Sequence, residues 1–427
     1  MKRTATIFIC IVIALCLNVN HAKAQRFVKA SGGHFTIGGQ NYYYIGANFW
    51  YGAILGAKNG DRSRLKKELD NLKANGITNL RILVGADGPL RANKVSPSLQ
   101  TAQGVYDDKL LDGLDYLLVE MGRRDMKAVL YLTNSWEWSG GYSQYLEWSG
   151  RGKAPVPSVD GWNTFTKYVA QFVECDSCKQ MFKAHVKYIL GRSNRYTKIR
   201  YINDPSIMAW QIANEPRAFS EAGKTAFANW VKETARYIKA IDKNHLVSTG
   251  SEGESGSEGD INLWENIHTE PAIDYLTIHI WPNNWGWLNK ADLPSSLQNA
   301  VANTKSYLNK HRAVAQKLNK PLVLEEFGFP RDSIKFDAAS ATTVRDGYFN
   351  AVFQKVVESA KVQDVFAGCN FWAWGGSGRP TPGHIFWQKG DAYLGDPAQE
   401  EQGLNTVYDT DTTLKLIKQY NMQLRPK

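Results

Sequence analysis

The sequence predicts an α/β fold, a (β/α)8 or TIM barrel with extended loops after its strands. Eight short β-rich runs alternate with helical stretches along the 427-residue chain. Most of these runs are apolar throughout, as expected of parallel strands that are covered on both faces. No internal repeat or Pro/Ser linker divides the chain. This alternation favours one closed barrel over an open sheet.

The predicted strands follow one another at intervals that leave room for a helix. They are residues 42–49, 78–84, 127–133, 207–213, 246–249, 275–280, 322–327 and 369–373. Asp61 is a natural N-cap for a helix that ends at Gly76. A second helix, over residues 107–124, places five leucines on one stripe.

The N-terminus has the pattern of a secretory signal peptide over residues 1–24. Lys2 and Arg3 precede an apolar run at 7–17, and small residues at Ala22 and Ala24 fit signal peptidase. The run is shorter than the roughly 20 residues of a membrane span. Cleavage after Ala24 predicts one catalytic domain over residues 25–427, in a secreted or periplasmic protein without a transmembrane segment.

Charge and cysteines exclude some classes of protein. The net charge of +10 includes three basic residues of the predicted signal, and the rest are not clustered as in a nucleic-acid-binding surface. Cys175 and Cys178 form a Cys-x-x-Cys without two further ligands at zinc-site spacing. In an exported protein these two cysteines could form a local disulfide or remain as two thiols, and the sequence leaves both alternatives open. Cys369 is predicted to be a buried thiol.

Loops after three strands are rich in aromatic residues, at 136–148, 282–287 and 374–387. Such loops form the active face of a TIM barrel. Residues 250–260, which read GSEGESGSEGD, follow the fifth strand. Their composition predicts a flexible, solvated loop.

Two glutamates end apolar strands. Glu215 follows the fourth strand in Asn214-Glu215-Pro216, and Pro216 is expected to hold Glu215 extended. Glu326 ends the seventh strand. Either glutamate alone could be a salt-bridged strand end, but together they lie across the barrel mouth and can face one sugar. Glycoside hydrolysis needs such a pair, with one carboxylic acid and one carboxylate.

These motifs resemble those of glycoside hydrolase family 5, and in particular its endo-β-1,4-mannanases. The resemblance also rests on LTNSW (132–136), GGYSQY (140–145), NDPSIMAW (203–210) and HIWPNNWGW (279–287). It implies a retaining enzyme, without metal or organic cofactor, that cuts internal bonds of mannan, glucomannan or galactomannan. Its partners would be β-mannan and manno-oligosaccharides, and we expect a monomer.

The resemblance also implies roles for individual residues. Glu215 would be the acid/base and Glu326 the nucleophile. Asn214 would bind the sugar's 2-hydroxyl, and Arg81 would keep the nucleophile ionised through its opposite charge. His279 would join the hydrogen-bond network around the acid/base. For Arg81 and His279, purely structural roles are the alternatives.

Two positions, Glu325 and Trp281, complicate this assignment of roles. Glu325 competes with Glu326 for the role of nucleophile. Since successive strand residues point to opposite faces, only one of the two is expected to face the barrel axis, and the family pattern selects Glu326. Trp281 stands where many family members have a tyrosine that donates to the nucleophile. An indole N–H can donate but cannot ionise.

Tryptophans are the predicted sugar platforms, because rigid aromatic faces stack on the apolar faces of pyranose rings. Trp50 and Trp372 end the first and eighth strands. The further candidates are the loop residues Trp136, Trp285 and Trp287. Trp210 and Trp230 are predicted to be core residues.

Three alternatives remain open: a family 5 endoglucanase, an exo-acting enzyme that releases mannobiose, and a non-catalytic polysaccharide-binding barrel. Mannose differs from glucose at one axial hydroxyl, so selectivity depends on site geometry. The elements around Asn134 and Trp136 favour mannan. The presence of both glutamates argues against a non-catalytic barrel.

Overall fold

The computed structural model describes residues 27–91 and 93–425, and its centre is a sheet of eight parallel strands. The strands are β1 (Tyr44–Asn48), β2 (Asn79–Leu83), β3 (Lys127–Tyr131), β4 (Ile207–Gln211), β5 (Leu246–Ser248), β6 (Leu276–Ile280), β7 (Leu322–Phe327) and β8 (Phe366–Phe371). Their spatial order is β5-β4-β3-β2-β1-β8-β7-β6. Seven of the predicted runs contain one of these strands, and the eighth run, 369–373, overlaps the end of β8. The predicted TIM barrel is confirmed.

One helix follows each strand on the outside of the barrel. These helices are α1 (Arg62–Ala74), α2 (Asp108–Arg123), α3 (Asp176–Leu190), α4 (Lys224–Ile241), α5 (Ile261–His268), α6 (Leu293–Leu318), α7 (Thr343–Val362) and α8 (Thr413–Gln423). Asp61 caps α1 by accepting a hydrogen bond from the backbone N–H of Arg64 at 2.8 Å, as predicted. Trp210 and Trp230 are buried in the core, also as predicted.

Shorter elements decorate the barrel. The helices among them are Gly52–Gly56, Gly141–Trp148, Pro157–Asp160 and Trp162–Val169, and the 3-10 turns are Glu137–Ser139, Ala170–Glu174, Tyr201–Asn203, Ser255–Ser257 and Asp332–Ile334. Short strand pairs are Gln100–Ala102 with Val105–Tyr106, and Trp374–Gly376 with Val407–Tyr408. Most lie in loops that follow a strand, where they enlarge the active face of the barrel.

The barrel closes between β5 and β6 through a few individual hydrogen bonds. The N–H of Asp274 donates to the carbonyl of Val247 at 2.8 Å, and the N–H of Val247 donates to Asp274 Oδ2 at 2.6 Å. Nearer the active face, the N–H of His279 donates to the carbonyl of Glu252 at 3.2 Å. These bonds complete the ring, which leaves no exposed sheet edge at this point.

A small antiparallel sheet covers the opposite end of the barrel. Its strands are Val28–Ser31, His34–Ile37 and Gln40–Asn41. Phe35 is fully buried and packs edge-to-face on Tyr275, with ring centroids 5.2 Å apart. The barrel interior is therefore open to substrate only at the carboxyl ends of its strands.

Cys175 and Cys178, for which two alternatives were open, form a disulfide with a Cα–Cα distance of 5.2 Å. Cys369 is a buried free thiol, as predicted. None of the helices within residues 27–91 and 93–425 is long and apolar enough to cross a membrane. The predicted signal peptide, residues 1–24, lies outside the described residues.

Residues 250–260 are not the solvated loop that their composition predicts. Ser251, Glu252 and Ser257 are at most 4% exposed. The segment packs on α6, where Tyr307 donates a hydrogen bond to the carbonyl of Glu252 at 2.8 Å. Gly253 has a φ of 98°, and a Cβ there would lie 2.5 Å from the His311 ring. The small residues of this segment therefore permit close packing.

Candidate active site

Glu215 lies just beyond the end of β4 with an unusual backbone conformation. Its φ is +48°, in the left-handed region, so the predicted extended conformation is wrong. Two hydrogen bonds hold it there: its N–H donates to the carbonyl of Gly250 at 2.9 Å, and Ser135 Oγ donates to its carbonyl. Such strain costs about 1–3 kcal/mol and is common at functional sites. Here it fixes the direction of the carboxyl group.

A β-bulge in β7 places two successive glutamates inside the barrel. Ile278 pairs with Leu324 and His279 pairs with Glu326, so Glu325 is the extra residue. Glu325 Oε2 lies 3.8 Å from Arg81 Nε, and Glu326 also pairs with Arg81. The expectation that only one of them faces the axis is therefore wrong, because the bulge breaks the alternation.

Depth distinguishes the two glutamates instead. Glu325 is fully buried, accepts a hydrogen bond from Tyr275 at 3.1 Å, and has a pKa raised by burial. Glu326 lies nearer the barrel mouth, beside His279 and Glu215. Of these two glutamates, Glu326 is therefore the one that lies beside His279, the residue that contacts Glu215.

Arg81 at the centre of β2 organises the floor of the site. Its guanidinium donates to Gln211 Oε1 at 2.7 Å, to Asn214 Oδ1 at 2.8 Å, to Asn48 Oδ1 at 3.1 Å and to Glu326. The side chain is fully buried. Its positive charge lies in direct contact with the carboxylate of Glu326.

His279 on β6 bridges the two carboxylates. Its Nδ1 lies 2.7 Å from Glu215 Oε1 and 3.3 Å from Glu326 Oε2. Burial by itself would lower the pKa of His279, but the charge of Glu326 and the hydrogen bond to Glu215 raise it to about 9. Burial would raise the pKa of Glu215, yet contact with His279 lowers it. Both shifts favour an ion pair between a protonated His279 ring and an ionised Glu215.

Glu215, His279 and Glu326 each offer one potential metal-ligand atom, and these three atoms lie within 4.8 Å of one another. However, the site already holds positive charge, because Arg81 contacts Glu326 and the two neighbouring carboxylates raise the pKa of His279. This charge opposes a bound cation and suits a neutral sugar between two carboxyl groups.

Residues after β3 surround the carboxyl group of Glu215. The Trp136 indole N–H donates to Glu215 Oε2 at 2.5 Å. Asn134 Oδ1 accepts from the backbone N–H of Trp136 at 3.0 Å and from Asn214 Nδ2 at 3.2 Å. The Arg217 guanidinium lies 5.3 Å from the Trp136 ring centroid. The structure thus brings Asn134, Trp136 and Asn214 together around Glu215.

The two strand-end tryptophans predicted as sugar platforms are both almost fully buried. Trp372 is 2% exposed, packs edge-to-face on Trp281 at 5.9 Å, and donates its indole N–H to Glu400 Oε2 at 3.3 Å. Trp50 is 3% exposed and donates to the carbonyl of Gly395 at 2.8 Å. The covering of Trp50 leaves it no open ring face for a sugar.

The remaining loop tryptophans, Trp285 and Trp287, lie beyond β6. Their ring centroids are 5.1 Å apart, and Trp285 also packs against Tyr307 of α6 at 5.1 Å. Both are partly buried. They therefore lie on the side of the barrel where residues 250–260 pack.

Sequence reasoning did not identify an ion pair beside Glu215. Arg217 Nε donates to Glu252 Oε2 at 2.6 Å. Burial raises the pKa of Glu252 to about 7, opposed by Arg217 and assisted by the charge of Glu215. The position of Glu252, three residues after the predicted strand 246–249, was the available signal in the sequence. The low-complexity composition of residues 250–260 obscured it.

Glu400 was also missed. It lies far beyond β8 in the chain, and only the folding of its segment brings it to Trp372. Burial and the nearby Asp396 raise the pKa of Glu400 well above its ordinary value. No local pattern in the sequence marks this residue.

Comparison with known proteins identifies the family. The model of GH family 5 β-mannosidase-like proteins matches residues 25–427. The chain belongs to glycoside hydrolase family 5. This family 5 enzyme is therefore a glycoside hydrolase, as the motifs indicated.

Named relatives and solved structures share this family. Mannan endo-1,4-β-mannosidase 7 of Arabidopsis thaliana is 32% identical over 86% of this chain and 82% of its own length. A putative mannan endo-1,4-β-mannosidase 9 of Oryza sativa subsp. japonica is 33% identical over 81% of each. The crystal structure of a family 5 mannosidase from Rhizomucor miehei is 37% identical, with a TM-score of 0.84, over 93% of this chain and 97% of that one.

Proposed function

We propose that this family 5 hydrolase cleaves β-1,4-mannosidic linkages in mannan, glucomannan or galactomannan with retention of anomeric configuration. The supporting observation is the spacing of the catalytic pair, since oxygens of Glu215 and Glu326 lie within 4.8 Å of each other. Retaining enzymes have carboxyl groups about 5–5.5 Å apart, whereas inverting enzymes need about 6.5–9.5 Å to admit a water.

In the first step Glu326 attacks the anomeric carbon while the bond to the leaving oxygen breaks. Glu215 supplies the proton to that oxygen. His279 Nδ1 lies 2.7 Å from Glu215 Oε1, so it can deliver this proton to Glu215. As Glu326 forms its ester it loses the charge that raises the pKa of His279. The proton therefore passes more readily to Glu215 as the bond forms.

In the second step a water molecule attacks the anomeric carbon. Glu215 accepts a proton from this water, and the bond between the sugar and Glu326 breaks. The carboxylate of Glu326 then regains its hydrogen bond from Arg81. Because Arg81 is fully buried, its charge stabilises the departing carboxylate in a setting with little water.

The substrate class rests on the relatives. Those named above act on mannan or are mannosidases according to their names, and they match this chain over most of its length. The hydrogen bond from Trp136 to Glu215, and that from Asn214 to Asn134 beside it, give the site fixed hydrogen-bonding groups close to the scissile bond. Such groups can discriminate sugars by one hydroxyl.

Internal cleavage is the mode of attack that we propose, because the two relatives described above are named as endo-acting enzymes. Exo action is the second candidate. It is favoured by the higher identity to the Rhizomucor mannosidase, 37%, than to the endo-mannanase of the same organism, 23%. It also agrees with the segment around Gly395 and Glu400, which contacts Trp50 and Trp372.

Two measurements test this function. Reaction with a linear mannan, followed by NMR, should show the β-anomer of the new reducing end first, and an initial α-anomer would exclude retention. Carboxymethylcellulose is the control polymer. Activity on it, without release of reducing sugar from any mannan, would exclude the substrate assignment. With mannohexaose, a mixture of products indicates internal attack, whereas mannobiose alone indicates exo attack.

We also infer that the enzyme is exported and acts as a monomer. Export is supported by the pattern of residues 1–24, in which an apolar run precedes Ala22 and Ala24. Size-exclusion chromatography with light scattering tests the second point, with a mass near 45 kDa expected for residues 25–427 at about 110 Da per residue.

A further inference from the structure

Trp162 differs from the other tryptophans of the chain in its exposure. It is 59% exposed, whereas the others within residues 27–91 and 93–425 are buried or partly buried. It is the first residue of the helix Trp162–Val169, in the long connection between β3 and α3. A large apolar ring in water at the rim of an active face is a candidate ligand contact.

Trp136 connects Trp162 to the proposed acid/base, Glu215. The ring centroid of Trp162 lies 5.9 Å from that of Trp136, at an interplanar angle of 87°. Trp136 in turn donates its indole N–H to Glu215 Oε2 at 2.5 Å. Aromatic surface therefore extends outward from the carboxyl group of Glu215 through two successive rings.

This surface lies on the leaving-group side of the scissile bond. Glu215 must reach the oxygen of the departing sugar, and Trp136 touches Glu215. On the other side of the pair, Trp372 contacts Trp281 and Glu400, and Glu400 lies close enough to Glu326 for their charges to interact. A departing chain on this side of the pair would extend past Trp136 toward Trp162.

Packing of Trp136 does not require Trp162. Trp136 stacks on Phe165, with centroids 6.2 Å apart at 19°, and meets Phe219 edge-to-face at 5.4 Å. These neighbours hold the Trp136 ring from two directions. The exposed face of Trp162 is therefore available for another contact.

We propose that Trp162 is an outer aglycone platform, on which a mannosyl unit of the departing chain stacks beyond the units next to the scissile bond. The proposal rests on the function proposed above and deepens it. Sugar rings present apolar C–H faces, and a rigid indole contacts them at low entropic cost. The occupant is the reducing-end arm of a β-mannan or of a long manno-oligosaccharide.

The test compares Trp162→Ala with the wild-type enzyme on mannobiose, mannotriose and mannohexaose. We expect kcat/KM for mannohexaose to fall about tenfold, and that for mannobiose at most about twofold. Trp162→Phe keeps an aromatic face and should recover most of the loss. An equal fall on all three substrates, or no fall on mannohexaose, would overturn the proposal.

Val159→Ala is the matched control. Val159 is 75% exposed in the preceding helix Pro157–Asp160. This variant therefore changes the same connection between β3 and α3 without removing an aromatic ring. It should keep the wild-type ratio between mannohexaose and mannobiose. A wild-type enzyme inactive on every mannosyl substrate would instead refute the proposed function, which separates the two failures.

Mannotetraose labelled with 18O at its reducing end identifies the side on which Trp162 acts. Loss of an aglycone platform should shift cleavage toward bonds nearer the reducing end, because binding modes with a long departing arm lose stability. A shift toward the non-reducing end would place Trp162 on the opposite side. In the Glu326→Ala background, calorimetry should show about tenfold weaker mannohexaose binding on adding Trp162→Ala.

Discussion

The roles proposed for Glu326, as nucleophile, and Glu215, as acid/base, differ, so replacement of these residues should have different effects. With an aryl β-mannoside that has a good leaving group, Glu326→Ala should lose on the order of 10³-fold or more in kcat. Glu215→Ala should retain formation of the glycosyl-enzyme, because this leaving group needs no proton. Azide should then rescue Glu215→Ala and give β-mannosyl azide.

Glu233→Ala is the control for this experiment, since Glu233 is exposed on the outer helix α4. It should keep wild-type activity. Turnover of Glu326→Ala at a rate near that of the wild type, or an α-mannosyl azide from Glu215→Ala, would contradict the assigned roles.

His279 should make stability depend on pH. Its pKa is raised to about 9 in the folded protein, from 6.5 for an ordinary histidine. Protonation therefore stabilises the fold fully below pH 6.5, and this contribution is lost as the pH rises toward 9. The difference is on the order of 3 kcal/mol.

Urea unfolding of the wild type and of His279→Asn, between pH 6 and 10, tests this prediction. The free energy of unfolding of the wild type should fall over the interval from 6.5 to 9, and that of the variant should fall less. Parallel curves for the two proteins would show that His279 does not hold the proton.

Individual residues of the site were predictable where a motif or the family resemblance named them. Glu215, Asn214, Arg81 and His279 meet as expected. The reason given for choosing Glu326 over Glu325 was wrong, because the bulge in β7 depends on how that strand pairs with β6. Register between strands is a tertiary property, so local alternation could not reveal it.

At the scale of secondary structure elements, closure of the barrel between β5 and β6 depends on Asp274. Its carboxylate accepts from the buried N–H of Val247 at 2.6 Å and pairs with Lys239 at 2.7 Å. Asp274→Ala should lower the free energy of unfolding by about 1–3 kcal/mol, because that N–H loses its acceptor.

Asp274→Asn is the matched variant, since its amide oxygen can still accept while the charge that pairs with Lys239 is lost. Its loss should be about 1 kcal/mol or less in urea denaturation. Equal losses for the two variants would mean that the ion pair, and not the hydrogen bond to Val247, stabilises this junction.

The elements themselves were largely predictable, because apolar runs and capping residues are local signals. Residues 250–260 were the exception. Their glycines and serines are typical of solvated loops, yet here they permit close contact with His311 and Tyr307 of α6. The same composition therefore serves both situations, and only the neighbouring helix distinguishes them.

For the whole molecule, the signal peptide is testable outside the described residues. When the full chain is expressed in an exporting bacterium, the mature protein should begin at Gln25, as N-terminal sequencing would show. Ala22→Asp with Ala24→Asp should block cleavage, because signal peptidase requires small residues at these positions. Lys23→Gln changes the residue between them and should leave cleavage intact.

The sequence by itself determined the barrel class, the order of its strands and the two glutamates proposed as the catalytic pair, because periodicity, strand ends and short motifs are properties of neighbouring residues. Only the tertiary structure decided which aromatic faces are open. Trp50 is covered by the segment around Gly395, whereas Trp162 remains exposed beside Trp136. Exposure depends on which distant segments pack together, and a tryptophan has the same local signature in either setting.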